Sequence, residues 1–561
     1  MEIEEEQDMN VPVKQKTEKK EDEELLQAIL EDGNEVDLAT WDLWEVIPRV
    51  FRYLSKSHAQ KDEHLHLLSA SALIKIASAA NPKEFILILL SQLEEDFDDA
   101  RFCTLLRPLQ SVLFRLPDEN GKSFHWCLTS IHDCLTKHLC LPGDFNFEDR
   151  EKVHPESDEY QMIICKVYEE LIFFYQTIQY EILKIVDVPK SKKFEQIFVS
   201  HLVKILGRPL VQLNFEGESS SSSLKKSVEN LLNLIFSMSV DVISFVKKTE
   251  PLTSHKFNSE NSDCIPLLAS ANFYYLIFCE RLGPIEKIPK VYSTSYLRSN
   301  IFPLASALIL CEDSLIRRKG LLLSNFMLEE LDSCFFTESV VLEHFMQGLT
   351  TCITYEKTED NRKLSFTVFK NYLCQLRPKE KYLVFLNLHT ILTNSSIKAY
   401  VITCIKDSVI QYYQHPLFRG KCLFDLVDLY CKLPAGSRTD LMEFANETIA
   451  SLNFIRFLII RDRNNKLGSH KYLRKIYEIL LDPLAEALKT SRVNWQLKLK
   501  EIDEGILEGN KVSMTVGGQR LPDMPKEEQI GIVTSAFNCI DLLESLSKRV
   551  NECFLEISIE S

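Results

Sequence analysis

Histidine and cysteine come closest together at His132, Cys134, His138 and Cys140, and zinc is the ion such a set would serve. Zinc takes four ligands in a tetrahedron, usually from close Cys or His pairs. Here His132 and Cys134 stand two apart, which on a helix turns them about 200° from each other. His138 and Cys140 repeat the misfit. Cys134 and His138, at i and i+4, share a helix face, and two ligands do not make a site. The set reads as part of a structural helix. His64 and His66 follow Glu63 in DEHLHLL without forming HExxH. No local signature of a thiol enzyme surrounds the cysteines. Phosphate-cradling loops of the GxxxxGKS/T or GxGxxG kind are absent. The Gly517–Gly518 pair is followed by Gln-Arg-Leu-Pro, which cannot open a nucleotide-binding helix in the required register. The spacing points to no enzyme, no cofactor and no metal.

The elements behind these residues are helices. Glycine numbers 16 in 561 residues, far below the usual ~7 %, and open sheets, barrels and sandwiches all consume glycine at their bends. Leu and Ile are abundant, with Lys and Glu between them. The net charge of −16 disfavours a nucleic-acid partner, which needs a basic face to release counterions from phosphates. The RRK cluster Arg317–Lys319 reads as a solvated helix face. The opening MEIEEEQDMN lacks the apolar core of a secretory signal. Uncharged apolar runs near Phe85–Leu93, Ala269–Cys279 and Ser299–Cys311 fall short of the ~20 residues that cross a bilayer, so no membrane partner is expected. The 16 cysteines sit singly inside apolar runs, as at Cys165, Cys279, Cys311 and Cys404. They read as small core residues of a cytoplasmic, possibly also nuclear, protein.

Residues 1–24 are acidic, lysine-rich and expected to be disordered. From Leu25 the helical rhythm begins. Trp41, Leu43, Trp44, Ile47, Val50, Phe51 and Leu54 predict one buried face. Asn81-Pro82 predicts a helix start, and TLLRPLQSVLFRLP at Thr104–Pro117 a further helix around Pro108. Helix follows helix at roughly 20-residue intervals, the rhythm of stacked helix pairs in an α-solenoid. We therefore expect an all-α fold of HEAT-like helical repeats with N- and C-terminal subdomains. Loops are expected near 216–223, a serine run, and 247–263. The N-terminal subdomain then spans 25–311 and the C-terminal one 312–561. Near the end, TVGGQRLPDMP (Thr515–Pro525) forms a rigid turn. A long helix follows, with Ile530, Val533, Phe537, Ile540, Leu543, Leu546, Val550 and Phe554 as its apolar stripe.

A chain with no reaction centre and a long helical surface is suited to gripping another protein. In SLNFIRFLIIRD (Ser451–Asp462), Leu452, Ile455, Leu458 and Ile459 read as a core stripe, with Arg456 and Arg461 at its edge. In VITCIKD, Ile402 and Ile405 turn inward and Lys406 sits at the rim. Arginine on an apolar helix surface is also a common interface anchor.

Several segments together carry a resemblance to a known family. The strongest are LPAGSRTDL (Leu433–Leu441), IASLNFIRFLIIRD (Ile449–Asp462), LDPLAEAL (Leu481–Leu488) and the TVxGxx(I/L)PxMP pattern with its closing helix at Thr515–Phe554. Weaker matches lie at Trp41–Leu54, Asn81–Glu95 and Thr104–Leu116. The chain thus resembles glomulin and, more remotely, a plant protein named for aberrant lateral root formation. The resemblance implies a helical-repeat inhibitor whose C-terminal half binds the RING-box subunit of cullin–RING ubiquitin ligases, with its associated cullin. That half would mask the docking surface of the ubiquitin-conjugating enzyme. It implies a monomer before binding, Lys406 as the first contact, and Arg456 and Arg461 as further contacts. The competing expectation is a general helical scaffold or adaptor without ligase specificity.

Overall fold

The computed structural model describes residues 19–30, 42–117, 121–139, 158–215, 221–238, 249, 264–284, 286, 294–329, 339–462, 465, 472–503, 515–516, 519–520 and 526–560. The fold is all-α and divides into two compact units, Met1–Asp332 and Ser333–Ser561.

The first unit contains α1 (residues 19–30), α2 (Leu43–Arg52), α3 (Lys56–Lys61), α4 (Glu63–Ala79), α5 (Pro82–Leu93), α6 (Asp99–Arg115) and α7 (Lys122–His138). It continues with α8 (Asp158–Leu183), α9 (Val188–Lys204), α10 (Ser221–Met238), α11 (Leu267–Phe278), α12 (Thr294–Ile309) and α13 (Ser314–Glu329). Local chemistry starts many of these helices. Asn81 caps α5 by accepting from the Lys83 amide, with Pro82 at the first turn. The Asp98 carboxylate accepts from the Arg101 amide at 3.0 Å and from the Lys56 amide at 2.9 Å, so one side chain caps both α6 and α3. Two layers result. One stacks α4, α6, α8 and α10 in turn, the other α5, α7, α9, α11 and α13. A continuous apolar core runs from Leu26 to Met327.

That core explains where the sequence reading needs correction. The helix Ser314–Glu329 packs on α12 and α11, so the first unit closes after Asp332, later than the expected boundary at 312. Residues 19–24, expected to be disordered, belong to α1. Asp22 is buried and accepts from Arg49 Nε at 2.6 Å and from the Tyr53 hydroxyl at 2.7 Å. The acidic composition conceals a clasp onto α2. Trp44 is 62 % exposed, whereas Ile47, Val50, Phe51 and Leu54 are buried as expected. Ser221–Ser223 begin α10 and do not extend the loop. Residues 1–18, Trp41, residues 216–220 and, apart from Thr249, the 247–263 loop lie outside the described residues.

The RRK cluster is not simply solvated. Lys319 is 3 % exposed. Its ammonium donates to the Leu210 carbonyl at 3.1 Å and lies 4.7 Å from the centroid of the Phe215 ring and 5.3 Å from that of Tyr275. Burial pushes it down to about 7. Next to it, Gly320 permits a close crossing of α13 over α12. An added Cβ would stand 2.7 Å from Leu308 Cβ and 2.8 Å from the Ile309 amide nitrogen.

The second unit contains α14 (Ser339–Tyr355), α15 (Glu359–Gln375), α16 (Pro378–Ile391), α17 (Ser395–Gln411), α18 (Gly420–Tyr430) and α19 (Ala445–Arg461). Next come α20 (Leu473–Ile476), a π-turn at Tyr477–Leu481, α21 (Asp482–Asp503) and α22 (Lys526–Glu560). A two-residue antiparallel ladder, β1 (Thr515–Val516) with β2 (Gln519–Arg520), precedes α22. The described helices stack in two layers. In one layer α14 packs on α16, and α16 meets α18 where Tyr430 donates to the Phe385 carbonyl at 2.6 Å. That layer ends where Tyr472, just before α20, stacks on Phe424 of α18 at 4.1 Å. In the other, Phe366 of α15 meets Tyr400 of α17 at 4.7 Å, α17 packs on α19, and α19 on α22. Helices of the first layer begin at Ser339, Pro378 and Gly420, a spacing of roughly 40 residues that suits HEAT-like repeats.

The apolar stripe of α22 faces this core. Val533, Ile540, Leu543 and Val550 are buried, and Ile530, Phe537, Leu546 and Phe554 are half-buried. Glu527–Leu555 is long and apolar enough by composition to cross a bilayer, although charged residues interrupt it and no uncharged run marks it in the sequence. Another side of the helix carries Asp541 and Glu544, which pair with Arg492 of α21 at 2.5 and 2.9 Å.

Two outcomes test the first unit. Alanine is ordinarily favoured over glycine inside a helix by about 1 kcal/mol, but Gly320→Ala should destabilise by about 1–3 kcal/mol through overpacking. The urea midpoint reads this, and an unchanged or raised midpoint would contradict the close crossing. For Lys319, the unfolded chain holds a proton that the folded chain lacks between pH ~7 and the ordinary lysine value of ~10.5, so stability rises with pH in that window. The stability of Lys319→Met relative to the parent should therefore fall steadily from pH ~7 to ~9. A pH-independent difference would contradict the lowered value of the buried Lys319 amine.

Candidate functional site

The helices that carry Lys406, Arg456 and Arg461 are neighbours. Their starts are pinned side by side. Asn446 Nδ2 donates to Ser396 Oγ at 2.9 Å, and the Glu447 amide donates to Ser395 Oγ at 3.2 Å. Their ends also meet, with the Arg461 guanidinium 5.6 Å from the centroid of the Tyr413 ring. Helices α17 and α19 therefore run parallel, as equivalent helices of successive repeats do. Lys406 lies as far beyond Ser396 as Arg456 lies beyond Asn446, about 15 Å of helix in each case. The two cations sit at the same level.

Sequence explains what each helix hides. Asn394 caps α17 by accepting from the Ser396 and Ile397 amides. Val401, Ile402, Ile405 and Val409 are then buried. In α19, Leu452, Ile455, Leu458 and Ile459 are buried, the core stripe expected from the sequence. The outward positions repeat with the same offset. Thr403, Lys406 and Ile410 share one side of α17 at i, i+3 and i+7, and Asn453, Arg456 and Ile460 share the matching side of α19. Ile410 is 49 % exposed and Ile460 47 %. Each helix thus shows a large apolar side chain beside a cation.

The cations differ in their surroundings. Lys406 is half-buried and makes no ion pair or side-chain hydrogen bond among the described residues. Arg456 is half-buried, and its Nε is shut off from water without an acceptor, so it is more enclosed than the solvated edge the sequence suggested. Arg461 is exposed over the Tyr413 ring. Below them, Glu447 is buried, with Lys398 4.0 Å away. Burial raises its carboxyl above the ordinary value, partly offset by Lys398. Ile410, Ile460 and Tyr413 were missed by the sequence reading. The signal was present: both isoleucines fall off the inward stripe, where a soluble helix normally carries a polar residue.

The other candidates do not assemble. Cys134 is buried in α7 and its thiol is pushed up to about 12 by burial. The His138 ring lies 6.0 Å from Phe97, His132 lies 3.4 Å from Asp133, and Cys140 is outside the described residues. Among the described residues no three His, Cys, Asp or Glu converge on a point that would hold a metal. His66 bonds the Tyr53 carbonyl at 3.0 Å. The Leu521–Pro525 turn lies outside the described residues.

Comparison with known proteins bears on the same helices. Residues 315–534 match the model of a family described as an uncharacterised protein family, YAP/Alf4/glomulin. Glomulin of Mus musculus is 26 % identical over 565 residues, covering 96 % of this chain and 91 % of that protein. Glomulin of Homo sapiens is 26 % identical over 561 residues with the same coverage. A crystal structure of importin beta in a polyethylene glycol condition covers 94 % of this chain and 63 % of its own at 10 % identity, with a TM-score of 0.20, too low to bear on the argument. The resemblance to glomulin, first visible in the C-terminal motifs, holds over nearly the whole chain.

Arg456→Leu should leave thermal stability unchanged or slightly raised, because it removes an enclosed donor that has no acceptor. A clear fall in Tm would mean that the guanidinium has a structural partner.

Proposed function

We propose that this protein inhibits cullin–RING ubiquitin ligases by binding the RING-box subunit, with its associated cullin, and covering the surface where the ubiquitin-conjugating enzyme docks. The observation that carries this reading is the span of the family match, which contains α17 and α19 whole and with them Lys406, Arg456 and Arg461. Glomulin-like proteins are the source of the partner's identity. The arrangement suits the task. Two exposed isoleucines beside three cations offer apolar area and donors to one partner, and arginines in desolvated settings are frequent hot spots.

Inhibition by occlusion requires no chemistry from the inhibitor. The weak docking of a conjugating enzyme has to be outcompeted by a larger interface, and roughly 800 Å² per partner forms a stable complex when its anchors pack well. On this reading the protein acts inside the cell, in the cytoplasm and possibly the nucleus, as a monomer until it binds. It is not an enzyme and has no nucleic-acid partner.

Titration of the full-length chain into a reconstituted neddylated ligase should slow ubiquitin transfer to completion at saturation. Lys406→Glu and Ile460→Asp should each weaken inhibition by about tenfold or more with unchanged Tm, the usual scale for loss of a hot-spot contact. Undiminished transfer at saturating dose would overturn the proposal and leave the general scaffold reading. Loss of folding in Lys406→Glu would assign that residue to the core.

A further inference from the structure

The turn between α8 and α9 breaks two ordinary rules of a soluble surface. Tyr180 and Leu183 are each 62 % exposed, Val186 is 92 % exposed and Val188 61 %. Four large apolar side chains therefore protrude within one short stretch. An exposure of 92 % means that Val186 touches almost nothing of its own chain. Lys190, Lys192 and Lys193 then crowd the first two turns of α9. The first turn of that helix contains no acidic residue. Cations here oppose the helix macrodipole, which favours negative charge at this end. None of the three makes an ion pair among the described residues. Three acids lie nearby, and Glu195 in the second turn of α9 is engaged as acceptor of the Ser191 hydroxyl at 3.2 Å. Glu181 is paired with Lys184 at 2.7 Å, and Asp187 stands at the cap of α9. In a chain of net charge −16, this is a local basic patch around an apolar tip.

We propose that this turn docks the protein on an anionic lipid surface. Charge complementarity selects the occupant's sign, since lysines close to an acidic membrane gain attraction that also offsets their opposition to the helix dipole. Shape selects lipid over an acidic protein. A protein partner would have to supply a pocket around Val186 and Val188, whereas the headgroup boundary accepts a protruding apolar tip without a preformed cavity. Tyr180, with Lys184 3.9 Å from its ring centroid, places an amphipathic ring where an interface favours one. The expectation of no membrane partner was drawn from the lengths of apolar runs. It concerned crossing a bilayer, and surface attachment needs no spanning run. The inference is independent of the ligase reading, because it concerns other helices and another unit.

Sedimentation of the full-length chain with phosphatidylcholine vesicles, with and without phosphatidylserine, tests it. Binding should require phosphatidylserine and weaken with added salt. Val186→Asp with Val188→Asp should reduce partitioning about tenfold or more. Lys190→Ala, Lys192→Ala and Lys193→Ala together should reduce it on the order of 100-fold. All the altered side chains except the half-buried Lys190 are exposed, and an unchanged far-ultraviolet circular dichroism spectrum and Tm confirm the folding of both variants. The proposal is overturned if the parent stays in the supernatant, if it binds phosphatidylcholine alone equally well, or if the variants sediment like the parent. It is also overturned if poly-glutamate captures the chain through the same lysines while vesicles do not, which would assign the patch to an acidic protein.

Discussion

The parallel stacking of α17 on α19 is the constraint on which the candidate site depends. Two serines at the start of one helix bond an asparagine side chain and a glutamate amide at the start of the other. Once the starts are pinned, the common rise of α-helices sets every later level. Lys406 cannot be opposite anything other than the neighbourhood of Arg456, nor Ile410 other than that of Ile460. Two pairs of positions on separate helices, Lys406 with Ile410 and Arg456 with Ile460, share one side of the stack, and none of the four is fully buried. The buried stripes of the two helices, Ile402 and Ile405 in one and Leu452 and Ile455 in the other, hold the pair in place. On the proposed function, stability and recognition reside on different sides of the same helices, so outward substitutions there can be separated from unfolding.

The first unit meets a related constraint with less freedom. Its helices also stack in layers, but α13 crosses α12 at a point where only glycine fits, and the adjacent lysine is shut inside. Among the described residues the ammonium is not paired with a carboxylate. It is held by a carbonyl and by the faces of two aromatic rings, a setting in which a charge is tolerated at the expense of its solvation. That single side chain links segments near Leu210, Tyr275 and Lys319, far apart in the chain.

Much of this was legible from residue types. Low glycine content, three-and-four spacing and caps such as Asn81-Pro82 specify an all-α fold because each acts locally. The inward stripes of α17, α19 and α22 were legible for the same reason. What escaped was set by tertiary partners. Lys319 lies among charges that look solvated, and only the packing of α11 and the Leu210 turn buries it. Asp22 lies in an acidic tail, and its clasp needs Arg49 and Tyr53 from the next helix. The division between units depends on which neighbour α13 chooses, and a run of similar helices does not announce that. Lys406, Arg456 and Arg461 could be named from the sequence, but their common level could not. The offset between their helices follows from loop lengths and from the pinning bonds.

The proposed function is steric competition at one face of the RING-box subunit. It is tested most directly by measuring the affinity of the ubiquitin-conjugating enzyme for that subunit while the concentration of this protein is raised. Under steric competition the apparent Kd of the enzyme climbs linearly with the protein added, without limit, and no ternary complex forms. An enzyme affinity that stays constant, with all three proteins migrating together, would contradict it.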